Sequence, residues 1–170
     1  NCQLTDEVTM TATGVSGVTD GGASIASQVD EVFTIEQCLY AIMVASANDI
    51  ALQIAEHTGG SVEAFVQMMN DRATALGCTN TVFTNPTGLP DENQHTTAHD
   101  MALIMQAAIQ NDAFRTIAAA TSYTIPATNK AAARNLTSKF TMTDTGNSGF
   151  YEGCIGGKEG YTEASGSTLV

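Results

Sequence analysis

Thr34 and Gln37 stand three apart at the head of an apolar run, and that pairing sets the frame for the fold. Thr-x-x-Gln in this setting is a capping box: threonine hydroxyl and glutamine amide each accept from the other residue's backbone N–H, which starts a helix. Ile35, Leu39, Ile42 and Met43 follow at helical spacing. A second stripe, Ala47, Ile50, Ala51, Ile54 and Ala55, stops at "HTGG", a glycine helix end with His57 near the negative pole of the dipole. Ser61 starts a third helix carrying Val62, Phe65, Val66, Met69, Ala73 and Leu76, which ends at Gly77. Thr97 and Asp100 frame another start, followed by Met101, Ile104, Met105 and Ala108. Residues 1–33, rich in Thr, Val, Ser and Gly, read as short strands and loops. After about residue 121, "SYTIP", "KFTMT" and "CIGGKEGYTEASGSTLV" read as strands with turns between them. The expectation is an α+β chain, mainly helical over 34–120 and then antiparallel strands over 121–170, in one partial domain spanning 1–170.

Inside the helical block lies "VASANDI", where Ser46 and Asn48 interrupt an apolar region. A buried hydroxyl or amide without a partner costs roughly 1–3 kcal/mol, so two of them need a reason. On a continuous helix, residues two apart point about 200° away from each other and cannot serve one site. A break between two helices lets them converge, and Asn48-Asp49 suits the N-cap and first turn of a new helix. The simplest reading makes Asn48 a cap and bonds Ser46 back to its own helix.

Charge and cysteine spacing narrow the chemistry. Eighteen acidic residues against six basic ones give a net charge of −12, which opposes binding to nucleic-acid phosphates. Cys2, Cys38, Cys78 and Cys154 have no metal-like spacing, so buried free thiols are expected, with a disulfide left open for an exported protein. His95 and His99 form H-x-x-x-H, but His95 falls ahead of the helix start at Thr97, so they read as surface histidines and no metal or cofactor is expected. Asp71, Arg72 and Glu152 read as solvated, and "VQMMNDR" as core filler. "NLT" at Asn135 has the form of a glycosylation sequon and carries no weight here.

Near the end of the chain, "GGKEGYTEASGSTLV" sets Lys158 between glycines on a strand, where a backbone can be approached closely. Ser-x-Asn at a helix junction, about 110 residues before Lys-x-Gly on a strand, resembles the serine D-alanyl-D-alanine carboxypeptidases among the low-molecular-mass penicillin-binding proteins. The run from "ASANDIALQIAEH" to "NPTGLP" is similar to that family's helices and Asn-x-x-Gly-Leu turn, and "TTAHDMALI" to its Thr-Ala-x-Asp-Met-Ala helix. The resemblance implies a β-lactamase/transpeptidase-like fold, truncated at both ends. It also implies acyl transfer by an Ser-x-x-Lys serine on peptidoglycan pentapeptides ending in D-Ala-D-Ala, with β-lactams as inhibitors. In that frame Ser46 relays protons, Asn48 bonds the substrate backbone, and Lys158 orders the hydroxyl network and attracts the substrate carboxylate. Gly160 belongs to the strand motif, and the Tyr161 N–H is an oxyanion-hole donor.

Two departures stand out. No serine in the chain is followed by Lys at the third position after it, so the 170 residues lack the nucleophile motif and are expected to be inactive alone. Glu159 occupies the place of the threonine whose hydroxyl meets the substrate carboxylate, where an ionised side chain would repel it unless it points away, is neutral, or goes with a shifted substrate preference. On that reasoning Glu159→Thr would speed β-lactam acylation. "LPDENQH", with Asp91 and Glu92, keeps a serine β-lactamase as an alternative, and the missing nucleophile keeps a non-catalytic cell-wall binding module as another. The resemblance places the protein outside the cytoplasm, in a bacterial cell envelope, with signal and anchor beyond these residues. An edge left open at "GSTLV" would favour self-association by strand pairing.

Overall fold

The structure, a computed structural model, describes residues 2–18 and 22–170. Its elements in chain order are β1 (Glu7–Thr9), α1 (Ala12–Ser16), β2 (Val32–Thr34), α2 (Ile35–Ala45), α3 (Asn48–Gly59), α4 (Val62–Ala75), α5 (Ala98–Ala108) and α6 (Asp112–Ala118). Strands β3 (Ser122–Ile125), β4 (Arg134–Thr137), β5 (Glu159–Thr162) and β6 (Gly166–Leu169) complete it. The strands form three antiparallel pairs, β1–β2, β3–β4 and β5–β6. No helix among the described residues is long and apolar enough to cross a membrane.

Helix α2 is the hub. It packs against α3, α6, β2, β3 and β4, and its Ile35, Cys38, Ala41 and Val44 form one buried stripe at helical spacing. Val8 and Phe33 from the first strand pair, Ile50 from α3, and Ile125 and Leu136 from the second pair close around that stripe. Tyr40 of α2 stacks on Tyr123 of β3 with ring centroids 3.9 Å apart. Burial, with Asp49 nearby, pushes the Cys38 thiol up to about 12, so it packs as a small apolar group. Cys38 and Cys78 are buried, Cys2 is exposed, and all four thiols are free.

The capping box forms as expected. Thr34 Oγ1 accepts from the Gln37 N–H at 3.2 Å, and Gln37 Oε1 accepts from the Thr34 N–H at 2.9 Å. Thr34→Ala removes one of these bonds and should lower stability by about 1 kcal/mol. Urea unfolding checks it, and an unchanged midpoint would show that α2 is fixed by packing alone.

Several expectations need correction. The opening segment contains a helix, α1, capped by Thr11 and seated on α3. Five residues are too few to show a helical period, and packing makes the turn. "KFTMT" is not a strand: it has no partner, Phe140 alone in it is buried, and turns follow, with Asp144 N–H donating to Thr141 O at 3.1 Å. The strand beside β3 is instead Arg134–Thr137. Met68 is 48% exposed, because α4 lies on the surface and buries only Ala73, so that methionine is not core filler.

Candidate active site

The break in VASANDI is real, and its mechanism is local. Ser46 ends α2 in the left-handed region (φ 56°, ψ 35°), with its N–H donating to Ala41 O. Ala47 is extended and precedes α3 without a side-chain cap. Asn48 is therefore the first helical residue rather than the cap. Its N–H donates to Ala23 O at 2.8 Å, and no hydrogen bond engages its side-chain amide among the described residues. Asp49 supplies the fixed charge in the first turn. Buried to 1% exposure, it accepts from Ser24 Oγ at 2.8 Å, Ser27 Oγ at 2.7 Å and the Ser27 N–H at 3.1 Å. The segment around residues 22–27 is thus tied to the start of α3, beside the two polar side chains.

The opposite wall is the β5–β6 pair. Lys158 and Val170 exchange both backbone bonds, at 2.9 and 3.1 Å. Antiparallel pairing alternates hydrogen-bonded and non-bonded positions. Opposite Leu169 and Ser167, Glu159 and Tyr161 therefore turn their N–H groups away from β6, toward the free edge of β5. The glycines ahead of Lys158 serve packing. Gly156 (φ 142°) lies against the Ala118 backbone, and a Cβ on Gly157 would sit 2.6 Å from the Phe140 ring and from Val170 O.

A cleft of about 780 Å³ lies between the two walls. Ser46, Asn48, Glu159, Gly160 and Tyr161 all line it. Lys158 is not among the lining residues: its ammonium donates to the Glu159 carbonyl and, at 3.0 Å, to Glu159 Oε1. Glu159 Oε2 is buried and has no hydrogen-bond partner among the described residues. The glutamate is thus paired with the lysine immediately before its own strand.

Sequence reasoning missed several lining residues, notably Thr87, Gly88, Thr137 and Lys139. The first two belong to a turn built by Asn85, whose Oδ1 accepts from the Thr87 and Gly88 N–H groups at 3.2 and 2.8 Å. "NPTG" is a turn signal and could have marked that rim. Asp91 and Glu92 border a separate concavity of about 400 Å³ and not the cleft that holds Ser46. His95 lies outside α5, paired with Val82 in an isolated bridge, and both His95 and His99 are exposed. His99 Nδ1 reaches the buried Asp100 at 3.4 Å. Bonds from Thr81 and the Asn80 N–H hold the Asp100 carboxyl below the usual range.

The Streptomyces K15 DD-transpeptidase superposes with a TM-score of 0.85 at 26% identity, covering 96% of this chain and 64% of that one. The D-alanyl-D-alanine carboxypeptidase of Mycobacterium tuberculosis H37Rv superposes with a TM-score of 0.84 at 28% identity, over 98% of this chain and 60% of that one. The family model of the S11 peptidases, the D-alanyl-D-alanine carboxypeptidases, matches residues 1–170, and the chain belongs to that family. Among its relatives, carboxypeptidase DacF of Bacillus subtilis is 36% identical over 84% of this chain, and DacB2 of M. tuberculosis 33% identical over 97%. The chain spans 35% and 56% of the length of those two relatives.

Proposed function

We propose that the chain forms the Ser-x-Asn and strand-lysine walls of a serine D-alanyl-D-alanine carboxypeptidase that trims peptidoglycan stem peptides outside the cytoplasm. The observation that supports this reading most is that Ser46 and Asn48 line the same cleft as the free edge of β5. An extended peptide laid along that edge finds outward-facing N–H groups at Glu159 and Tyr161. The Tyr161 N–H is then a donor for the oxyanion that forms when a serine attacks the carbonyl between two D-alanines. The Asn48 amide is free to bond the peptide backbone from the other wall. The Ser46 hydroxyl, held by its left-handed backbone, passes a proton between the attacking hydroxyl and the departing D-alanine nitrogen. The Lys158–Glu159 pair adds little net charge and orders the start of β5.

The nucleophile is outside this set, since no Ser-x-x-Lys occurs in the sequence. It would come from chain beyond these residues, and β-lactams would acylate it. The full-length protein incubated with a fluorescent penicillin should carry a stable covalent label, while the 170-residue chain alone should not. An unlabelled full-length protein would sink the carboxypeptidase reading and leave a binding module. Rapid release of hydrolysed penicillin would make it a β-lactamase. The outer edge of β6, with Leu169 64% exposed, also supports self-association by strand pairing, testable by sedimentation over a concentration range.

A further inference from the structure

Among the described residues lining the cleft, Lys139 carries the only positive charge. Glu159 and Glu163 line it too, and the ammonium of Lys158 is committed to Glu159. Lys139 is exposed and makes no ion pair or side-chain hydrogen bond with any described residue. Its backbone is nonetheless well placed. Ser138 N–H donates to Thr121 O at 2.8 Å, and the buried Phe140 packs its ring on Gly157, the residue before Lys158. Lys139 is therefore pinned on both sides next to the start of β5, on a flexible stem that reaches into the cleft.

We propose that Lys139 is the specificity-determining residue that binds the free carboxylate of the ligand, the task that the Glu159-for-Thr exchange takes from the strand motif. This rests on the carboxypeptidase reading above. A ligand ending in a carboxylate would otherwise enter a cleft whose remaining charged side chains, among the described residues, are the two glutamates, of which Glu159 is paired with Lys158. A charge-assisted hydrogen bond from the Lys139 ammonium offsets that repulsion and fixes which end of an extended peptide lies beside β5. The same group selects against ligands whose terminus is amidated or esterified.

The test uses the full-length protein with benzylpenicillin, which carries a free carboxylate. Stopped-flow acylation separates the dissociation constant of the first complex from the rate of acylation within it. Lys139→Gln should weaken the first complex by about 10- to 100-fold and leave the acylation rate within about threefold. Lys139→Arg should restore binding, because it keeps the charge. An unchanged dissociation constant in Lys139→Gln, a loss confined to the acylation rate, or failure of arginine to restore binding would each overturn the assignment. A wild-type protein that is not acylated at all would instead overturn the carboxypeptidase reading, and this inference with it.

Discussion

Arg134→Met should cost about 3–5 kcal/mol of stability, the usual effect of stripping one partner from a buried ion pair. Glu31 is fully buried. Arg134 grips it with both nitrogens, Nη1 donating to Oε1 at 2.7 Å and Nη2 to Oε2 at 3.0 Å. Thr128 Oγ1 and the Gln28 N–H complete its shell. The guanidinium also lies 5.7 Å from the centre of the Phe33 ring, so the pair joins β4 to the central core. Methionine keeps the stem but leaves a carboxylate with no counter-charge in the interior. Urea unfolding reads the loss, and a double variant with Glu31→Gln should recover more than about 1 kcal/mol by removing the stranded charge. A loss below about 1 kcal/mol in the single variant would mean that water reaches Glu31.

Acidity supplies a second check on the same pair. Burial alone would raise the Glu31 carboxyl, but bonds from Arg134, Thr128 and Gln28 outweigh it and hold the group below its usual range. A depressed folded value makes the contribution complete above the unfolded glutamate pKa, about 4.3. It is lost as the pH falls through the folded value. The gap between wild type and Arg134→Met should therefore be widest near neutrality and narrow in acid.

Ser46→Ala in the full-length protein should lower penicillin acylation by about 10²–10⁴-fold, the usual share of a positioned proton-transfer group. Ser46→Gly separates chemistry from folding. The left-handed backbone at this position (φ 56°) costs an L-residue about 1–2 kcal/mol and costs glycine nothing. Against glycine's greater unfolded-state entropy, the variant should be as stable as wild type or up to about 1 kcal/mol more so, yet equally slow to acylate. A glycine variant that acylates at the wild-type rate would remove Ser46 from the mechanism.

The helices were legible wherever a cap and an apolar period coincided, as at Thr34, Ser61 and Thr97. The junction at Ser46 was legible too, because two polar residues two apart make sense only if the helix breaks. Which residue starts α3 was not legible. Asn48 is the better capping type, but its N–H goes to Ala23, a residue 25 positions earlier, and Ala47 takes the cap position. Such long-range partners leave no local trace. Lys139 was hidden for a similar reason: an exposed lysine just past a short strand has no periodicity, and only the packing of Phe140 on Gly157 brings it to the cleft. Adjacent strand residues ordinarily point to opposite faces, so the folding of Lys158 onto Glu159 was equally invisible in the letters.

The grip of Asp49 on the segment before β2 makes a built-in reporter. The amide protons of Ile25 and Ser27 are held by one carboxylate, at N···O distances of 3.4 and 3.1 Å, and not by any strand ladder. Their exchange with solvent deuterium then times how often the mouth of the cleft comes undone, without a ligand and without turnover. Two peaks in a spectrum would follow the integrity of the site.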